Sequence, residues 1–437
     1  MTTSHGDHVF GFGTRTIHAG AQPDPATGAR ATPIHQTTSF VFDDAEHASN
    51  LFNLATFGNV YSRISNPTVA VFEERMASLE NGRAALACAS GMAAQMTALF
   101  ALLKTGDHVV AASTLYGGSV GQLGTGFERL GIETTFVDPA DPANFERAMR
   151  PETRVVFGET LGNPLVNVLD IAAVAEVAHA HGVPLVVDNT VASPYLCNPL
   201  DLGADIVVHS ATKYIGGHGT TMGGVLIESG RFPWDNGKFP DMVQPSRAYH
   251  GVKFYETFGD FGYTMKARME VNRTYGGVLS PMNAWLLLQG AETLHLRMQA
   301  HCRNALAVAR HLKQHPKVAW VNYPGLPESP YHALARKQFR EVDGAPGASG
   351  LLTFGIRGGA AAGEKFIDAC EFLSHLANIG DAKTLVIHPA STTHRQLSDE
   401  ELKRAGVSGD MVRLSVGIED VDDILWDIDQ ALARCGA

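Results

Sequence analysis

Long hydrophobic runs, paired cysteines and blocks of like charge are all missing from this 437-residue chain. Its longest largely apolar stretch, 92–103, is too short to span a bilayer, which excludes a membrane partner. The opening Met1-Thr2-Thr3-Ser4-His5-Gly6 has neither a basic nor an apolar segment, so no secretory signal is expected. The five cysteines (Cys88, Cys197, Cys302, Cys370, Cys435) are scattered, odd in number and never spaced as Cys-x-x-Cys. That argues against disulfides and zinc and for a reducing, cytoplasmic setting. No His-Glu-x-x-His pattern occurs among the nineteen histidines, and no metal site is expected. Lys and Arg number 34 against 45 Asp and Glu, with no long basic run, so nucleic acid is excluded as a partner. A dinucleotide fingerprint is absent too. Gly217-x-Gly219 lacks the third glycine and precedes a strand rather than following one, which disfavours a nicotinamide oxidoreductase.

What remains is a chain of ordinary globular composition, 45% hydrophobic and 18% charged, longer than one hydrophobic core serves. Residues 1–65 have little periodicity and read as an extended arm. From Asn66-Pro67 a helix is expected, with Val69, Phe72, Met76 and Leu79 on one face and Asn81-Gly82 as its stop. Short apolar or β-branched runs then alternate with helical stretches: 108–113, 134–138, 155–159, 185–188, 206–210 and 224–227. The expectation is an α/β large domain over 66–280, built on a mostly parallel sheet of the seven-stranded type. Pro233, Pro240 and Pro245 break the pattern in 230–262, which reads as a long functional loop. A long helix over 281–315 is expected to link the large domain to a smaller C-terminal α/β domain, ending at 437.

The chemistry concentrates at two expected strand ends. Asp188 closes Val183-Pro184-Leu185-Val186-Val187, and Lys213 follows Asp205-Ile206-Val207-Val208 within Ser210-Ala211-Thr212-Lys213. Carboxyl ends of strands are where open α/β sheets bind ligands. A lysine, a carboxylate and a hydroxyl-rich turn are what pyridoxal 5'-phosphate (PLP) needs. They supply a Schiff-base amine, a partner for the pyridine nitrogen and a phosphate cradle. Gly216, Gly217, Gly219, Gly223 and Gly224 let the backbone approach such a ligand closely. Ser90-Gly91-Met92 opens a helix whose N–H groups suit a phosphate. Tyr116 follows a strand and suits ring stacking, Tyr61 and Arg63 suit a phosphate, and Arg395 suits a carboxylate. Taken singly, each has a plainer reading: Ser90 as a helix cap, Tyr116 as a core or turn residue, the arginines as solvated surface.

Several longer stretches carry a resemblance over nearly the whole chain. They are Ile17-His18-Ala19-Gly20, 33–39, Tyr61-Ser62-Arg63-Ile64-Ser65-Asn66-Pro67-Thr68, Val187-Asp188-Asn189-Thr190, 210–221 and 380–394. In these the chain resembles the Cys/Met-metabolism family of PLP-dependent enzymes, of fold type I. The long segment after Gly230, Gly380-Asp381-Ala382-Lys383 and Asn378 resemble its sulfhydrylase branch rather than the branch that handles cystathionine. The resemblance implies that Lys213 bonds the cofactor and Asp188 meets its ring nitrogen. It implies that Ser90, Gly91, Met92, Ser210 and Thr212 hold the phosphate, with Tyr61 and Arg63 reaching in from a neighbouring subunit. Tyr116 would stack on the ring and Asn163 would contact its hydroxyl edge. Asn378 and Arg395 would meet the substrate, Arg395 at its carboxylate. The implied substrates are small molecules, O-acetyl-L-homoserine with sulfide or a small thiol, in a homotetramer built from close dimers.

Overall fold

A computed structural model describes residues 4–5, 8–392 and 406–435 of the chain. Its larger sheet contains β1 (Ala84–Cys88), β2 (His108–Ala112), β3 (Glu133–Val137), β4 (Thr153–Glu159), β5 (Leu185–Asp188), β6 (Ile206–His209) and β7 (Gly224–Glu228). Across the sheet the order is β1-β7-β6-β5-β4-β2-β3. Pairings among β2 to β6 are parallel, while β7 runs antiparallel to both β6 and β1. Val155, Val156, Val186, Val187, Ile206 and Val207 are fully buried. Unbroken apolar runs of this kind belong to strands covered on both faces by helices.

The helices start where local chemistry says they should. In α1 (Phe12–His18) the chain begins to fold early, and α2 (Ala45–Phe52) is capped by the Asp44 carboxylate, which accepts from His47 N. Both lie in the stretch expected to be extended, so the arm is partly helical. Asn66 caps α3 (Pro67–Leu79), with Pro67 in its first turn, and Ser90 caps α4 (Gly91–Phe100). Asp170 caps α5 (Ile171–Ala180). The expected single helix over 281–315 is two, α6 (Pro281–Glu292) and α7 (Leu294–Gln314), divided at Thr293.

A second sheet follows, of β8 (Val318–Asn322), β9 (Leu351–Ile356), β10 (Ser374–His375), β11 (Leu385–Ile387) and β12 (Met411–Ser415), ordered β8-β9-β12-β11-β10. It is antiparallel except between β10 and β11. With α8 (Ala360–Ala369) and α9 (Val421–Arg434) it encloses a core of its own, including Phe354, Phe366, Val412, Leu414, Ile424 and Ile428.

Two sequence expectations are corrected here. The Ala-rich β1 was not anticipated, since alanine has little strand preference; five paired residues of β7 hold it in place. The 230–262 stretch, expected to be one long loop, carries short helices at Pro240–Val243 and Phe254–Phe258, and its 232–239 part is packed. Phe232, Trp234 and Phe239 are buried with Tyr263 in the large core, Trp234 lying parallel to Tyr263 at 5.3 Å. Asn236 Nδ2 donates to Gly182 O, just before β5 begins, which sets this aromatic plug at the amino ends of the parallel strands.

Candidate active site

The carboxyl ends of the same strands enclose a cavity of about 220 Å³. Ser90, Gly91, Met92, Tyr116, Asn163, Asp188, Ser210, Thr212, Lys213 and Asn378, all singled out from the sequence, line it together. Tyr61 and Arg63 do not. Tyr61 is 40% exposed outside the cavity, and Arg63 sits over its ring and donates to Arg273 O. Arg395 lies outside the described residues.

Each wall follows from its local fold. The Asp188 carboxylate is fixed by Thr190 N at 2.8 Å, and Thr190 Oγ1 in turn accepts from Ser210 N at 2.8 Å. One hydrogen-bonded turn therefore sets both β5 and β6 ends. Ser90 spends its hydroxyl on its own helix, accepting from Ala93 N, which leaves the first N–H groups of α4 at the cavity wall. A side chain at Gly91 would meet Ser210 Cβ at 2.6 Å, so only glycine lets the helix end come this close. The Lys213 turn is braced by Arg297 from α7, which donates to Tyr214 O at 2.7 Å, Ile215 O at 3.1 Å and Gly290 O at 2.7 Å.

Two charged lining residues escaped the sequence reading. Glu159 ends β4 in register with Asp188 and accepts from Tyr116 N at 2.7 Å. An acid at a strand end looks ordinary in sequence, and only the register shows two carboxyl groups side by side. Arg413 is buried on β12 of the smaller sheet; its Nη1 donates to Asn163 Oδ1 at 2.9 Å and its Nη2 to Asn378 O at 3.2 Å. No carboxylate pairs with it among the described residues. An arginine inside the apolar Met-Val-Arg-Leu-Ser strand is a signal that was available.

The electrostatics are polarised. Burial first, then Asp188, pushes the Glu159 carboxyl well above the usual range. Burial raises Asp188 as well, opposed by its hydrogen bonds from Thr190. Two buried acids with no cation between them resist ionising together. Across the cavity, burial and then the Arg413 charge bring the Lys213 ammonium down to about 8, and its Nζ donates to Asn378 Oδ1 at 2.5 Å. Burial brings Arg413 to about 10.

These residues fit PLP. A protonated pyridine nitrogen supplies the cation that Asp188 and Glu159 lack. The α4 end with Ser210 and Thr212 offers N–H and O–H donors to a phosphate, and the softened Lys213 amine suits an aldehyde. Arg413 is left facing the space where a substrate carboxylate fits.

Comparison with known proteins agrees. A family described as Cys/Met metabolism PLP-dependent enzyme matches residues 13–433. An O-acetyl-L-homoserine sulfhydrylase of Leptospira meyeri is 52% identical over 427 residues, 96% of each chain. A homocysteine synthase of Schizosaccharomyces pombe is 50% identical over 424 residues, 96% of this chain and 98% of that one. Among solved structures, an O-acetylhomoserine (thiol)-lyase of Campylobacter jejuni carrying a pyridoxyl-lysine monophosphate superposes with a TM-score of 0.93 at 38% identity. The superposition covers 97% of this chain and all of that one.

Proposed function

The chain belongs to the Cys/Met metabolism family of PLP-dependent enzymes, and from that premise we propose that it converts O-acetyl-L-homoserine and sulfide to L-homocysteine and acetate. This is a γ-replacement, a step of methionine biosynthesis. The observation that carries it is the meeting, in one cavity, of the Lys213 amine, the Asp188–Glu159 pair and an arginine with no carboxylate partner among the described residues.

Lys213, Asp188, Ser90, Gly91, Met92, Ser210, Thr212, Tyr116 and Asn163 are the residues assigned to hold the cofactor. Bound PLP supplies an electron sink for the substrate's Cα. Arg413 clamps the substrate α-carboxylate through its remaining N–H groups while Asn163 and Asn378 fix the guanidinium plane. That orients Cα and Cβ toward Lys213 Nζ. The same amine takes the Cα proton, passes it on and so returns to its free form, then takes a Cβ proton as acetate leaves Cγ, and the transfers reverse after hydrosulfide adds there. A base softened to about 8 is suited to both directions near neutral pH. Asn378 Oδ1, 2.5 Å from Nζ, steadies the amine between transfers.

The assembly proposed is a homotetramer of close dimers, in which Tyr61 and Arg63 serve the neighbouring subunit's phosphate site. Their position outside their own cavity supports this. No helix among the described residues is long and apolar enough to cross a membrane, and a cytoplasmic location is proposed with it. A large and a small domain are supported by separate cores around the two sheets, with Phe12 of the arm and Leu287, Leu288, Leu294 and Met298 beyond 280 packed into the larger core.

Purified protein tests the reaction directly. O-acetyl- and O-succinyl-homoserine are each supplied with and without sulfide, following homocysteine and 2-oxobutanoate. Homocysteine formed from the acetyl donor only with sulfide is the expected result. Release of 2-oxobutanoate at a comparable rate without sulfide makes the enzyme a lyase, and the proposal falls.

A further inference from the structure

Behind the cavity wall lies a second polar layer whose central residues, Glu80, Asn189 and His209, touch neither the cavity nor solvent. Glu80, the residue that ends α3, is fully buried. Its Oε1 accepts from His209 Nε2 at 2.6 Å and from Asn189 Nδ2 at 2.8 Å, and its Oε2 from Asn198 Nδ2 at 3.3 Å. His209 is fully buried too, and its Nδ1 has no partner. Asn189 completes the layer: its Oδ1 accepts from Thr160 Oγ1 at 2.8 Å and its Nδ2 also reaches Cys197 O at 2.9 Å.

The placement in sequence is what gives this layer meaning. Thr160, Asn189 and His209 each stand next to a cavity residue, namely Glu159, Asp188 and Ser210. Neighbours along a strand end point to opposite sides, so each of these three wall residues has a backing residue tied to Glu80, directly or through Asn189. A buried carboxylate paired with a histidine is a poor way to gain stability, because apolar side chains of the same volume usually do as well or better. The layer has one carboxylate serving three donors, and it joins α3 to the two turns that present Asp188 and Ser210. The His209 ring also matters to Asp188 electrically. Burial raises that carboxyl, and His209 is among the groups that oppose the rise.

We propose that Glu80, His209 and Asn189 form a positioning layer that fixes the orientation of Asp188 and Ser210, so that the ring nitrogen and phosphate of the cofactor meet a wall already aligned. The proposal rests on reading the cavity as a PLP site. Residues that orient direct ligands typically change affinity by about 10- to 100-fold when lost, by analogy with outer-shell partners at metal sites.

The test replaces the pair by apolar side chains, Glu80→Met with His209→Leu, in the full chain. Cofactor dissociation constants of the apoprotein are measured by equilibrium dialysis beside its thermal midpoint without cofactor. The expected result is an unchanged or raised midpoint with about tenfold or greater loss of PLP affinity. His209→Gln, which keeps a donor toward Glu80, stays within about threefold of the wild type by the same reasoning. Wild-type affinity in the double variant overturns the proposal and leaves the pair a structural feature. Should the double variant not fold, Asn189→Ala decides, since it cuts the Asp188 turn from Glu80 while leaving the pair. About tenfold weaker binding supports the layer, and unchanged binding overturns it. Failure of the wild type to take up PLP is a different outcome and removes the cofactor reading itself.

Discussion

The two ends of the seven-stranded sheet are built from the same strands and do opposite things. At the carboxyl ends, Glu159, Asp188, Ser210 and Lys213 surround an open cavity, and two acids and one base are held with fewer partners than their charges call for. At the amino ends, Phe232, Trp234, Phe239 and Tyr263 fill the space with stacked and edge-on rings. Packing is completed at one end and withheld at the other. The lesson is that irregular sequence does not distinguish them. The glycine-rich turn after Lys213 and the proline-rich stretch after Gly230 both interrupt the strand–helix rhythm, yet the first borders the cavity while residues 232–239 of the second close the opposite end.

Substitutions at each end sharpen or break that contrast. Lys213→Ala has the largest effect expected: turnover falls by about 10³-fold or more and the bound cofactor's visible band shifts, with little change in denaturation midpoint. A variant retaining band and turnover makes another residue the cofactor's amine. Arg413→Met comes next. Removing the clamp lowers kcat/KM for the amino-acid substrate by about 100-fold, roughly 2–3 kcal/mol, and a loss confined to sulfide's KM contradicts the assignment. Then pH: Lys213 reacts as the free amine, so cofactor uptake by the apoprotein rises as pH is raised through about 8. Each unit below that leaves about a tenth as much free amine. Arg413→Met removes a neighbouring positive charge, so this midpoint moves upward; a downward move refutes the coupling. The smallest effect on chemistry belongs to Trp234→Ala. It destabilises the fold by about 3–5 kcal/mol in chemical denaturation. Turnover per folded molecule changes by no more than about twofold, and a larger change means the two ends are not independent.

How far these features were legible depended on range. Asp188, Ser210 and Lys213 declare themselves because the first ends an apolar run and the other two stand in the turn that follows one, and the run fixes the strand. Glu159 also ends a run, but its meaning lies in alignment with Asp188 on the next strand, which 28 intervening residues conceal. Arg413 comes from the smaller sheet, some 200 residues from Lys213 in the chain, and only the packing of two cores brings it to the cavity. β1 hides for the opposite reason: its alanines express no preference, and its pairing with β7 decides. In the arm, α2 had a readable cap at Asp44 that the lack of longer periodicity obscured.

Arg413 and Lys213 face one another from separate sheets, each with its own core. On the proposed assignment, the part that grips the ring and the part that grips the amino acid's carboxylate can therefore diverge separately, and changes along β12 or in 377–379 retune which substrate is admitted without touching the strand ends assigned to the cofactor. A scaffold divided in this way can serve a succession of sulfur and leaving-group chemistries while its catalytic lysine never moves.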